Sequence, residues 1–222
     1  MNRGTVVKTI LVLVGIVIGV IVIFAIAGQH MYFFVRVDQQ EVGVRFRGGR
    51  IHEVVGPGVY NDVALYAELE KVSTEGVPFA VEDPEVITKD SQRIGLLVSG
   101  DAFRPNEAEK DRLQELWPTY RAVYLDDAVL LSKIESLSLQ AMKSCVGDRN
   151  FNDAVIGSAR DELRLCIDEE LSELAKEYGL DVRNVAVPNV ILSAEVQASL
   201  DAITKSRLDT ERIRVRLAAV YI

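Results

Sequence analysis

The side chains that most often do chemistry are scarce in this chain. Its 222 residues include two histidines, His30 and His52, and two cysteines, Cys145 and Cys166. The cysteines lack the close spacing of a zinc site, and two are too few for a disulfide framework. Each lies on or beside an apolar helical stripe, so both read as small buried hydrophobes rather than reactive thiols. His52 falls in an expected strand with no second histidine nearby in sequence, and reads as a surface residue. Asp168, Glu169, Glu170, Glu173 and Glu177 could bind cations in principle, and Glu170, Glu173 and Glu177 share helical spacing. Carboxylates so arranged on an exposed face are ordinarily just solvated. Asp62 and Tyr66 would share a face if that segment were helical, but no nucleophile accompanies them. Gly56-Pro57-Gly58 lacks the helix and lysine of a phosphate-binding loop and reads as a turn whose glycines supply positive φ. The sequence has no GxGxxG, GK[ST], HExxH or GxSxG motif. It therefore offers no catalytic residue, no metal ligand and no cofactor-binding residue.

Charge narrows the partners. The chain holds 33 acidic against 25 basic residues, a net charge of −8. A nucleic-acid partner would need a basic face to neutralise phosphates, so none is expected. Arg3 and Lys8 are the only charged residues before position 28, and the acidic excess lies wholly beyond it.

The elements that position these residues begin with an apolar run. From Ile10 to Ala27 every residue is apolar or glycine. As a helix it is roughly 27 Å long, against a hydrocarbon thickness of about 30 Å. Each Leu, Ile, Val and Phe in it favours insertion by about 0.3–0.6 kcal/mol. Residues 1–9 read as a short tail and 10–28 as a transmembrane anchor among membrane lipids, marked by Ile10, Leu13, Gly15, Gly19, Ile23 and Ala27. Gly15 and Gly19 form a GxxxG pair that would let two helices approach closely. Ala25-Ile26-Ala27 also has the small-x-small form of a signal-peptidase site. Yet the apolar run exceeds the core of a usual signal peptide, about 7–15 residues, which favours a retained anchor. Basic residues are denser on the short N-terminal side. The expectation is a single-pass protein of a bacterial plasma membrane, its N-terminus cytoplasmic and its domain outside. Tyr32, Phe33 and Phe34 follow, either at the interface or opening the first strand.

Beyond the anchor the period is two. Val42, Val44 and Phe46 alternate with Gly43, Arg45 and Arg47; Gly48-Gly49 signals a hairpin, and 50–55 the return strand. Val77, Phe79 and Val81 alternate before Asp83-Pro84, and 86–90 and 94–98 read as further extended stretches. Residues 106–124 are polar and mixed, with Trp117-Pro118 expected to break any helix. Leu130, Ile134, Leu137, Ala141 and Cys145 then recur at helical spacing, ending before Gly147. Ser158 with Asp161 opens a second helix whose stripe is Leu163, Ile167, Leu171, Leu174 and Tyr178, stopped by Gly179. A strand over 181–187 ends at Pro188. Ser193 opens a last helix with Val196, Leu200, Ile203, Ile213, Leu217 and Val220, an imperfect heptad seam that needs a partner helix.

Several of these segments match a known pattern in order. Glu41-Val42-Gly43-Val44 with Phe46 and Gly49-Arg50, then Gly56-Pro57-Gly58-Val59-Tyr60, resemble the opening of an SPFH (band 7) domain, the superfamily of stomatins, prohibitins and flotillins. Val86-Ile87-Thr88-Lys89-Asp90 resembles its T-x-D segment. Gly179-Leu180-Asp181-Val182 with Val185 and Val187, then 192–196, is similar to its closing strand and helix start. The resemblance covers about 35–205. It implies an α+β fold: an SPFH domain over 35–192, with a small, mainly antiparallel sheet plus helices, then a coiled-coil start over 193–222. It further implies a non-enzymatic, stomatin-like or prohibitin-like membrane scaffold without cofactors. Such a protein assembles laterally with copies of itself or a related SPFH subunit, organises a membrane patch, and regulates a membrane protease or other membrane partner. Two features depart from the pattern: 104–130 is longer and more irregular, and the sequence stops at Ile222 where family members continue into a long coil. The alternatives are a monomeric binding domain, tethered or released by cleavage after Ala27, and an unrecognised hydrolase.

Overall fold

The computed structural model describes residues 3–27, 32–64, 66–151 and 159–191, with 198, 202, 205, 206 and 208–212 beyond them. The elements are α1 (Arg3–Ala27), β1 (Tyr32–Val37), β2 (Glu41–Arg47), β3 (Arg50–Val55), β4 (Gly58–Asp62), β5 (Ala67–Ser73), β6 (Val77–Ile87), β7 (Arg93–Phe103), α2 (Lys110–Leu125), α3 (Asp127–Gly147), α4 (Ala159–Lys176) and β8 (Asp181–Ile191). The fold is α+β with small antiparallel sheets. The chain divides into two compact units. One holds Met1–Gly76, Phe103–Leu130 and Tyr178–Leu180; the other holds Val77–Ala102, Leu131–Glu177 and Asp181–Ile222.

In the first unit β2 lies between β3 and β5, antiparallel to both. The β2–β3 hairpin turns at Gly48-Gly49, both at positive φ (58° and 75°), which is what a two-residue turn matching strand twist requires. Strand β1 pairs with β4 as a separate antiparallel ribbon. Alternation on β2 buries Val42 and Val44, joined in the core by Val37, Ala67, Val72, Leu113, Trp117, Val123 and Tyr124.

Helix α2 corrects one expectation, since it continues through Trp117-Pro118 and leaves helical geometry only at Tyr120 (φ −119°, ψ 17°). Proline removes a donor and crowds the preceding turn, so the helix kinks. It does not end, because Leu113 and Trp117 before the kink and Val123 and Tyr124 after it are all buried. Trp117 stacks on Tyr124 with centroids 5.9 Å apart. Buried Arg104 donates to the carbonyl of Val123 (3.1 Å) and pairs with Asp127 (2.6 Å), tying the end of α2 to the start of α3.

The second unit is built on the sheet β6–β7–β8. Strand β6 runs through Asp83-Pro84, with a register shift between Asp83 and Val86, so the two stretches expected there are one strand. Strand β8 likewise runs past Pro188 to Ile191; it is an edge strand, where a proline can be accommodated. The stripes on α3 and α4 are core: Ile134, Ala141, Leu163, Ile167 and Leu171 are fully buried, with Ala175 rather than Leu174 closing the α4 stripe. Cys145 and Cys166 are not the free thiols expected. They form a disulfide between α3 and α4, with Cα atoms 5.9 Å apart.

Ser158 lies outside the described residues. Beyond 191 the described residues are helical, and Val196, Leu200, Ile203, Ile213, Leu217 and Val220 lie outside them.

Candidate membrane-facing edge

The features that could meet a bilayer lie at the start of the first unit. Every described side chain of α1, from 11 to 25, is exposed, including Leu13, Ile23 and Phe24. Among the described residues nothing packs on Gly15 or Gly19. Among the described residues no helix is long and apolar enough to cross a membrane. The backbone of α1 spans Arg3–Ala27, and the side chains of Ile10 and Ala27 lie outside those described.

The β1–β4 ribbon carries a second exposed apolar set. Phe33, Phe34, Val59 and Val63 are all exposed, Phe34 at 78%. Regular strands turn successive side chains to opposite faces, which would hide one of two adjacent phenylalanines. Here the β1–β4 register shifts between Tyr32 and Val35, a bulge that leaves Phe33 and Phe34 both outward. Phe34 sits at φ 53°, a left-handed conformation uncommon for a bulky residue.

Behind this ribbon is an ionic network that the sequence reading missed. Asp62 is 5% exposed. Its Oδ2 accepts from Arg47 Nε (2.7 Å) and Arg45 (3.1 Å), and its Oδ1 from the Ala64 N–H (3.1 Å). Arg45 also pairs with Glu53, its cross-strand neighbour, and donates to the Tyr32 hydroxyl (2.7 Å). The Arg47 hydrogen bond, opposed by burial and assisted by Ala64 N–H and Arg45, holds the Asp62 carboxyl down at about 2. Asp62 therefore ends a strand and does not share a helical face with Tyr66. The network joins β1 and β4 to β2 and β3, fixing where Phe33 and Phe34 point. Arg45 and Arg47 show in sequence as alternating basic residues, but nothing local reveals their acceptor.

Gly56-Pro57-Gly58 is placed differently from expectation. Neither glycine has positive φ. Gly56 instead gives room to the Glu107 carboxylate, with which a Cβ there would clash, and its carbonyl accepts from the Tyr60 hydroxyl (2.9 Å). In the second unit the T-x-D segment is a turn between β6 and β7. The Thr88 hydroxyl donates to Asp90 (2.6 Å), which also accepts from the Phe151 N–H (2.9 Å). Those bonds hold the Asp90 carboxyl low, Thr88 contributing most.

His52 is exposed on β3, and Glu173 and Glu177 are exposed around the end of α4. Among the described residues no cluster of His, Cys, Asp and Glu could hold a metal ion. A recess of about 480 Å³ in the first unit has Phe46 and Trp117 in its lining, with Glu68, Glu70 and Arg121 around them. Arg121 is paired with Glu70.

An α+β fold of small antiparallel sheets and helices fits one family. The profile of the SPFH domain / Band 7 family matches residues 35–219, and the chain belongs to that family. Stomatin-4 of Caenorhabditis elegans is 25% identical over 187 residues, spanning 82% of this chain and 60% of its own length. An uncharacterized protein of Archaeoglobus fulgidus is 23% identical over 180 residues, 80% of this chain and 64% of that protein. The chain thus spans less than two thirds of the length of these curated relatives. Proteins of the family commonly self-associate and associate with membranes, and are generally non-enzymatic scaffolds.

Proposed function

We propose that this protein is a non-enzymatic, single-pass membrane scaffold of the stomatin-like kind. Its α1 anchors it in the bilayer, and its copies, or a related SPFH subunit, associate laterally through 193–222 to organise a membrane patch and act on a membrane protease or similar partner. The observation that carries this reading is the exposure of the apolar side chains of α1 together with that of Phe33, Phe34, Val59 and Val63 on the ribbon that follows it in sequence. Contiguous exposed apolar surface marks an interaction site, and a helix apolar on every side fits lipid better than water. In this reading the bulged ribbon rests on the interface, where aromatic rings are favoured.

Flotation and alkaline carbonate extraction of the full chain test it. The protein should float with vesicles and resist extraction. Phe33→Ser/Phe34→Ser should leave the anchor intact but make 32–64 more accessible to limited proteolysis by a Glu-specific protease at Glu41 and Glu53. Complete release of the unaltered chain by carbonate would contradict the anchor. A second reading, a domain released by cleavage after Ala27, is favoured by the disulfide, which suits a secreted protein. N-terminal sequencing of the mature protein separates the two, since release predicts a start at Gly28.

A further inference from the structure

Cys145 and Cys166 are 21 residues apart in sequence, on two helices of the second unit, and are joined as a disulfide. Cys145 is 3% exposed, among fully buried Ala141 and Met142. Disulfides persist where the surroundings are oxidising, whereas cytosolic thiol systems keep most cysteines reduced. Charge gives an independent pointer. Arg3 and Lys8 lie on the short stretch before the apolar run, against Arg36, Arg45 and Arg47 spread over about 20 residues after it, near parity in number but denser on the N-terminal side. Basic residues are retained on the cytoplasmic side, so the denser N-terminal set tilts toward the orientation that the disulfide gives.

We infer that the domain following α1 lies on the oxidising side of the membrane, with Met1 on the reducing side, and that the Cys145–Cys166 bond closes there. The inference rests on the anchored reading above. Closure needs an oxidant, and a carrier protein bearing a disulfide supplies it. The thiolate of one cysteine attacks a carrier sulfur, giving a mixed disulfide and releasing the carrier's other sulfur as a thiolate. The second cysteine's thiolate then displaces the carrier, forming the Cys145–Cys166 bond. The carrier departs as a dithiol, having gained two electrons and the two protons the cysteines gave up. A partner that touches this domain directly must therefore be reached from the oxidising side, which excludes cytosolic proteins.

The full chain, expressed in a mesophilic bacterial host, carries the test. After acid quenching and denaturation, a thiol-reactive polymer should add to neither cysteine without reductant and to both after reduction. Glu173→Cys, on the exposed face of α4 with the native disulfide kept, should react with a membrane-impermeant maleimide in spheroplasts before lysis. Added protease should cut the unaltered domain in the same spheroplasts. Free native thiols before reduction would overturn the inference, as would labelling of Glu173→Cys only after lysis. A chain recovered as soluble extracytoplasmic protein with its disulfide formed would instead sink the anchored reading, so the two failures are distinguishable.

Discussion

Asp62 accepts three hydrogen bonds while almost wholly removed from water; without it Arg47 loses its carboxylate partner, whereas Arg45 keeps Glu53. Hydrogen bonds to a charged group contribute about 1.5–3 kcal/mol, so Asp62→Ala should destabilise the first unit by about 2 kcal/mol in urea titrations followed by Trp117 fluorescence. The pH dependence has a definite sign. Because the folded carboxyl sits at about 2 and an unfolded one near 3.9, Asp62 stabilises fully above about pH 4 and loses that contribution as pH falls towards 2. Asp62→Asn should flatten the acid limb of the stability curve across that window. Ser138, fully buried on α3, is the opposite case. Its hydroxyl is without a hydrogen-bond partner among the described residues. An unsatisfied buried hydroxyl costs roughly 1–3 kcal/mol, so Ser138→Ala should be neutral or stabilising by about 1 kcal/mol on chemical denaturation.

Elements separate what local pattern encodes from what only packing decides. The β2–β3 hairpin is legible because alternation and Gly48-Gly49 point the same way, and α3 and α4 because their apolar stripes are unbroken. Strand β5 is not, since Ala67-Glu68-Leu69-Glu70-Lys71-Val72-Ser73 places charge on successive positions and its strand character comes from pairing with β2. Pro118 and Pro188 each suggest an end that burial, or an edge position, overrides. The Asp62 network is invisible locally because its arginines lie 15 and 17 residues away, on another strand. The disulfide depends on two stripes facing each other, which periodicity alone cannot place. Closing a loop of this size restricts the unfolded chain, so reduction should lower stability by about 3 kcal/mol, read as a shift in urea midpoint with and without reductant.

For the molecule as a whole, the SPFH family and the α+β fold were legible in the order of weak motifs behind an apolar helix, although each motif alone says little. Lateral assembly on a membrane is what the proposed scaffold role requires of the whole molecule. A net charge of −8 makes side-by-side packing of copies repulsive, so assembly needs specific contacts rather than nonspecific attraction. The segment over 201–216 offers them in Asp201, Lys205, Arg207, Asp209, Glu211, Arg212, Arg214 and Arg216, where both signs are mixed along the chain. The most direct measurement is the native mass of the full chain, extracted gently in detergent, by mass photometry or light scattering. The account predicts a discrete species of many subunits; a clean monomer would contradict it.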